Sequence, residues 1–142
     1  MAQYWNYNKY KQNRSIMKNL VFLILFTIVG VAANAQFDGI SDAISSQNVT
    51  KLSNFFGDQV EITTPNQDDV FSKSEATNIM KSFFATYKVT SFTLQHQGSS
   101  KGKSSEYAIG DMIASGKKFR VFIYVSEKSG KTIIEQIQFE QD

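Results

Sequence analysis

After Lys88 the apolar residues of the chain change from helical spacing to alternation, and this change most limits the folds the chain can adopt. The connections SSKGK, SGKK and KSGK between the alternating segments have the composition of turns. Short connections join antiparallel neighbours, so the pattern predicts a four-stranded meander. Its four strands are VTSFTLQHQ (89–97), SSEYAIGDMIASG (104–116), KKFRVFIYVSE (117–127) and TIIEQIQFE (132–140).

Ahead of Lys88 the spacing predicts three helices and one short strand. FDGISDAISSQNVTKLSNFF (37–56) indicates two short helices, with Asn48 capping the second and Gly57 ending it. QVEITT (59–64) alternates as a strand, and TTPNQDD reads as a turn. FSKSEATNIMKSFFATY (71–87) is the clearest helix, with a capping box from Ser72 to Glu75. This order predicts an α+β domain in which N-terminal helices pack on one curved antiparallel sheet.

A separate apolar stretch, from Leu20 to Ala33, lies ahead of this domain. It is about 14 residues long, shorter than the roughly 20 that a membrane-spanning helix needs. Lys18 precedes it and Ala33-Asn34-Ala35 follows it, in the order typical of a secretory signal peptide and its cleavage motif. We therefore expect residues 1–35 to be removed, leaving a single domain (36–142) in the periplasm or outside the cell.

Two alternatives remain for this stretch, an uncleaved membrane anchor and a short buried helix. The polar segment before Met17 is long for a signal peptide, which makes Met17 an alternative start of the protein. Cleavage at the predicted position leaves no stable membrane span.

The charge of the predicted domain differs from that of the whole chain. The chain has 15 basic and 13 acidic residues, but four of the basic ones and none of the acidic ones precede Gln36. The domain therefore has 15 − 4 = 11 basic and 13 acidic residues, a net charge of −2. This balance removes the electrostatic case for binding nucleic acid. With no cysteine, one histidine and no phosphate-binding or metal-binding motif, we expect no metal and no cofactor.

The segments SEYAIGDM, FRVFIYV and IIEQIQFE, following FSKSEATNIMKSFF, resemble a small exported bacterial family known as domain of unknown function 4783. The element order is similar to that of the nuclear-transport-factor-2-like (cystatin-like) fold. The resemblance implies a cone formed by a bent sheet around a long helix. Isomerases, dehydratases, polyketide cyclases and non-catalytic ligand binders all use that fold, so the resemblance implies no single activity.

Alternation also assigns side chains to the two faces of the sheet, and one assignment predicts a polar pocket inside the cone. In it, His96, Tyr107, Asp111 and Glu135 point inward among apolar residues. A desolvated carboxylate beside a histidine can be tuned for proton transfer. The competing interpretation is structural: His96 lies near a strand end, and a bulge at Gly110 would turn Asp111 outward.

The third long strand is apolar on both faces, which predicts an interface on the outer face of the sheet. Phe122 and Tyr124 occupy the positions where a solvated face would carry polar residues. Their predicted outward neighbours are Ala108, Met112, Ile134 and Gln136. Such a patch favours a homodimer, unless the first helices cover it.

Taken together, the sequence favours an exported, non-catalytic binding module for a small apolar ligand or an envelope protein. The main alternative is an isomerase- or dehydratase-like enzyme that uses the cone pocket, and a structural module of an envelope assembly is a third.

Overall fold

Helices come first in the protein and the strands of one sheet follow. The computed structural model describes residues 35–99 and 105–142. The helices are α1 (Ala35–Ser45), α2 (Val49–Ser53) and α3 (Lys73–Thr86); the strands are β1 (Phe56–Thr64), β2 (Gln67–Ser72), β3 (Val89–Ser99), β4 (Ser105–Ala114), β5 (Lys117–Lys128) and β6 (Lys131–Gln141). The predicted signal peptide lies outside the described residues, apart from Ala35, at which α1 begins.

The six strands form one curved, open sheet in the order β2-β1-β6-β5-β4-β3. Four of the five neighbouring pairs are antiparallel, and β1 and β6 pair in parallel. The predicted α+β class, with helices packed on a curved sheet, is confirmed. The meander of β3 to β6 is also present, and the parallel pair places β6 in the interior of the sheet between β1 and β5.

Strand β2 is an element that the sequence pattern did not predict. The segment QDDVFS, which reads as part of a turn and the start of a helix, pairs with β1 from Thr64↔Gln67 to Gln59↔Ser72. Nearly all of its side chains are exposed because it is an edge strand. Strand β2 is held by backbone hydrogen bonds to β1 rather than by a buried face. Its sequence therefore lacks the hydrophobic alternation from which a strand is predicted.

Helix α3 begins at the predicted capping box. The Ser72 hydroxyl accepts a hydrogen bond from the backbone N–H of Glu75, and the Glu75 carboxylate accepts one from the backbone N–H of Ser72 at 3.0 Å. Hydrogen bonds from the Ser72 side chain and backbone lower the pKa of Glu75. The buried side of the helix consists of Ala76, Met80, Phe83 and Phe84.

A hydrogen-bonded turn fixes the first two helices against the end of α3. Gln47 adopts a left-handed backbone conformation (φ 53°), and its side-chain amide donates to the backbone carbonyls of Phe84 (3.0 Å) and Tyr87 (2.9 Å). The predicted cap at Asn48 is confirmed by its side-chain oxygen, which accepts from the Lys51 N–H at 2.9 Å. The predicted helix end at Gly57 is wrong, since α2 stops at Ser53 and Gly57 lies in β1.

The space between the helices and the sheet is filled by hydrophobic side chains. Phe83 contacts Phe139 and Phe119 at ring-centroid distances of 4.5 and 5.8 Å, and Tyr87 contacts Phe119 at 5.0 Å. Within the described residues, every buried side chain is hydrophobic, and no buried polar or charged residue is present. The inside of the cone is therefore a packed aromatic and aliphatic core.

No helix among residues 35–99 and 105–142 combines the length and the apolar character that a membrane crossing requires.

Candidate functional site

The inner face of β4 is made of small residues and one methionine. Ala108, Gly110, Met112 and Ala114 are buried, so the alternate residues of β4 lie on the outer face of the sheet. A Cβ atom at Gly110 would lie 2.6 Å from the Phe92 ring, which shows how closely that ring covers the glycine. The prediction that Tyr107 and Asp111 point inward is therefore wrong. Small residues occupy the inner positions because large rings from neighbouring elements need that volume.

A bulge in β3 carries His96 to the outer face as well. Leu94 pairs with Gly110 and His96 with Ile109, so Gln95 is an extra residue that changes the phase of the strand. His96 is exposed. Asp111 is 32% exposed and faces Arg120, with 3.7 Å between its Oδ1 and the Arg120 Nε. The inward orientation predicted for His96 is thus wrong for a local reason, the inserted Gln95.

A second bulge places Glu135 outside the core. Tyr124 pairs with Gln136 and Val125 with Ile134, which leaves Glu135 without a partner on β5. Its carboxylate accepts hydrogen bonds from Lys128 Nζ (2.8 Å) and Ser126 Oγ (2.6 Å). These two contacts, that of Lys128 first, lower the pKa of Glu135 and keep the carboxylate ionised at neutral pH. The prediction that Glu135 enters the cone is wrong.

The four predicted pocket residues consequently do not meet inside the cone. Three of them, His96, Tyr107 and Asp111, share the outer face of β3 and β4, and Glu135 lies at the bulge of β6. Tyr107 lies against Gly98, where an added Cβ would be 2.7 Å from the phenol oxygen. The prediction that His96, Tyr107 and Asp111 share one face of the sheet is correct, but that face is the outer one.

The outer face has an aromatic and aliphatic centre, which we call the outer patch and define as Tyr107, Ile109, Phe122 and Tyr124. In the register of β4 and β5, Ile109 opposes Phe122 and Tyr107 opposes Tyr124. The two tyrosine rings lie 6.4 Å apart. Tyr124 is 41% exposed, which is high for a large aromatic residue.

The outward positions predicted for Phe122 and Tyr124 agree with the structure, whereas three of their predicted neighbours do not. Ala108, Met112 and Ile134 are buried on the inner face. Gln136 does lie on the outer face, opposite Tyr124. On β4, the outward neighbours of Phe122 and Tyr124 are therefore Tyr107 and Ile109, because Ala108 and Met112 fill the inner positions.

Polar pairs surround the outer patch. Arg120 and Asp111 lie at one end, and the Gln136 side-chain amide donates to the Glu61 carboxylate at 2.8 Å on the β1 side. Further out, Thr63 Oγ1 donates to Asp68 Oδ1 at 2.9 Å. An apolar centre with a polar rim is the usual composition of a protein–protein interface.

A groove separate from the outer patch lies between α3 and the turn that joins β1 to β2, and we call it the hairpin groove. It encloses about 360 Å³. Its lining residues are Thr64, Asn66, Gln67, Asn78, Ile79, Ser82, Phe83, Thr86 and Tyr87. Sequence reasoning missed it because β2 was not predicted. The only local signal was the polar turn TTPNQ facing a helix side rich in Asn, Ser and Thr.

Metal ligands are not clustered in the described part of the chain. No group of three or more histidine, aspartate or glutamate side chains there is arranged to hold an ion.

Comparison with known proteins identifies similar chains. A family model described as Domain of unknown function (DUF4783) matches residues 37–140. A DUF4783 family protein from Bacteroides uniformis is 28% identical, with a TM-score of 0.68 over 74% of this chain and 95% of that one. A second, from Bacteroides ovatus, is 27% identical, with a TM-score of 0.68 over 73% and 93%.

A more distant likeness concerns the fold alone. An NTF-2 like protein of unknown function from Burkholderia xenovorans is 9% identical, with a TM-score of 0.60 over 77% of this chain and 83% of that one. None of the curated proteins compared with this chain matches it.

Proposed function

Because the chain belongs to the family Domain of unknown function (DUF4783) and has a nuclear-transport-factor-2-like fold, we propose that it is an exported, non-catalytic binding module that pairs with a second copy of itself through the outer patch. The observation that carries the proposal is the exposed aromatic surface at Tyr124 and its neighbours on β4 and β5. Protein interfaces are enriched in aromatic residues at their centres.

The size and charge of the outer face support a second copy as the partner. Six strands about 4.8 Å apart, with central strands of about ten residues, give a face of roughly 800–1,000 Å². A stable interface buries about 800 Å² on each partner. In a two-fold pairing the same surface meets itself, so unpaired charges of one sign would repel. The charges nearest the outer patch, Asp111 and Arg120, are already paired within one copy.

Placing a charge at Tyr124 is expected to prevent this pairing. In a two-fold interface, Tyr124→Lys would put two ammonium groups near each other in a desolvated centre. We expect the dissociation constant to rise about 30-fold or more, since aromatic residues at interface centres contribute about 2 kcal/mol or more. Light scattering coupled to size-exclusion chromatography, across a dilution series, measures the change from dimer to monomer.

The control is Thr50→Lys, because Thr50 is exposed on helix α2, away from the outer face of the sheet, and the same charge is introduced there. We expect this variant to remain dimeric, and both variants to keep the circular dichroism of the parent. A monomeric parent at high micromolar concentration would contradict the proposal, as would equal effects of the two substitutions.

The cellular location is the second part of the proposal. The matched family region begins at residue 37, directly after the predicted mature start at Gln36, and the apolar stretch Leu20–Ala33 precedes it. We expect the protein recovered from its native cell to begin at Gln36, because Ala33 and Ala35 provide the small side chains that signal peptidase needs. Intact-mass measurement tests this, and a mass that includes Leu20–Ala33 would contradict export with cleavage.

An isomerase- or dehydratase-like activity has less support. Such chemistry in the cone needs a polar group beside the substrate. Among the described residues the buried set is entirely hydrophobic, and His96 and Asp111 lie on the outer face. The same packed core leaves little room for a small apolar ligand inside the cone, which favours binding at the surface.

A further inference from the structure

We propose that the hairpin groove is a binding site for a neutral saccharide. The site is separate from the outer patch and requires neither dimerisation nor export. Its volume of about 360 Å³ lies within the range of about 300–1,000 Å³ typical of small-molecule sites. Secondary-structure elements form both walls, with α3 on one side and the β1–β2 hairpin on the other.

The lining of the groove determines which ligands it suits. None of its lining residues is charged, so a neutral ligand is favoured over an anion or a cation. Its polar groups are three side-chain amides (Asn66, Gln67 and Asn78) and four hydroxyls (Thr64, Ser82, Thr86 and Tyr87). Amides and hydroxyls both donate and accept hydrogen bonds. A ligand rich in hydroxyl groups, which also do both, is their closest chemical match.

Several of these polar groups are available to a ligand. Among residues 35–99 and 105–142, no hydrogen bond joins the side-chain amides of Asn66, Gln67 and Asn78 to another described residue. By contrast, Thr86 Oγ1 donates to the Ser82 carbonyl at 3.1 Å, and Thr64 Oγ1 accepts from the Asn66 N–H at 3.3 Å. The free amides stand on opposite walls, so a ligand between them can bond to both.

Two aromatic rings and one aliphatic side chain also line the groove. Phe83 and Tyr87 line it, with ring centroids 5.0 Å apart, and Ile79 adds an aliphatic surface. Sugars combine hydroxyl edges with apolar C–H faces, so a lining that contains both rings and amides matches both parts. Phe83 is 6% exposed and packs against Phe139, which holds this part of the lining in position.

A peptide is the competing ligand, and the geometry favours it less. Extended peptides bind by adding a strand to a free sheet edge, where backbone N–H and C=O groups provide the hydrogen bonds. The groove instead presents side chains of the hairpin turn and of one helix face. Its contacts therefore suit separate hydroxyl groups better than a continuous backbone.

The test is a nuclear magnetic resonance titration of the protein with three neutral disaccharides: maltose, cellobiose and chitobiose. We expect at least one to shift the backbone amide signals of 64–67 and 78–87, with millimolar affinity. Asn78→Leu is expected to weaken that binding about tenfold, because it leaves a ligand hydroxyl without its partner. Lys81→Leu, an exposed position on the same helix outside the groove, is expected to change the affinity less than twofold.

Three results would overturn the proposal. One is the absence of shifts in these segments with all three sugars, and another is equal weakening by Asn78→Leu and Lys81→Leu. The third is a stronger response to an uncharged tripeptide than to any of the sugars. The Tyr124→Lys variant should bind sugar as the parent does, so a failure here is distinguishable from a failure of the dimer.

Discussion

Replacing Phe119 with alanine is expected to lower the free energy of unfolding by about 3–5 kcal/mol, the range for removing a fully buried phenylalanine. The side chain is completely buried and its ring contacts Phe83 and Tyr87. The substitution removes these contacts and leaves a cavity that a sheet and a capped helix cannot easily close. A loss of this size is a large fraction of the roughly 5–15 kcal/mol that stabilises a typical domain.

Urea unfolding followed by circular dichroism measures this effect, with both variants at the same protein concentration as the parent. Phe71→Ala is the control, because Phe71 is a half-buried phenylalanine on edge strand β2. We expect it to cost less than half as much as Phe119→Ala. Similar losses from the two substitutions would mean that the core is not centred on the aromatic cluster of α3 and β5.

The second large effect concerns two adjacent isoleucines. Ile134 is fully buried, whereas Ile133 is half-buried, because the bulge at Glu135 changes the phase of β6. We expect Ile134→Ala to lower the free energy of unfolding by about 2–5 kcal/mol. The loss for Ile133→Ala should be about 1 kcal/mol, since less of its apolar surface is removed from water.

This pair tests the bulge itself, since each variant is the control of the other. Strict alternation from Ile137 and Phe139 would place Ile133 inside and Ile134 outside, which reverses the order of the two losses. Equal or reversed losses in urea unfolding would therefore contradict the register between β5 and β6.

The elements of the fold were largely predictable because each of them follows a local rule. The alternation of 117–127 and 132–140 predicts β5 and β6, and the Ser72–Glu75 capping box predicts the start of α3. Strand β2 was not predictable in this way, because its polar segment gains its order from pairing with β1. Local patterns do not contain that information.

The faces of the strands were predicted less well, for two physical reasons. A bulge is a property of two paired strands, so Gln95 and Glu135 look ordinary in the sequence, yet each one reverses the side on which later residues lie. On β4, the inner positions hold Ala108 and Gly110, and hydrophobicity alone favours the opposite face with its larger residues. Packing volume, rather than hydrophobicity, determines that choice.

The candidate sites differ in how much of them the sequence revealed. Phe122 and Tyr124 were recognisable because apolar residues stood where a solvated strand face requires polar ones. The hairpin groove was not recognisable, because its two walls are separated along the chain and meet only after β2 has paired with β1.

The interior position of β6 has a consequence for the time at which the chain can fold. β6 is synthesised after the other five strands of this sheet, yet it joins β1 to β5, and the Gln136–Glu61 hydrogen bond spans 75 residues. Until β6 is available, β1 and β2 form an isolated hairpin, which has little stability in water. Contacts so distant in sequence also slow folding. A chain whose synthesis has not reached β6 therefore lacks the completed sheet, and under the proposed export such an unfolded chain can still pass through a narrow secretion channel.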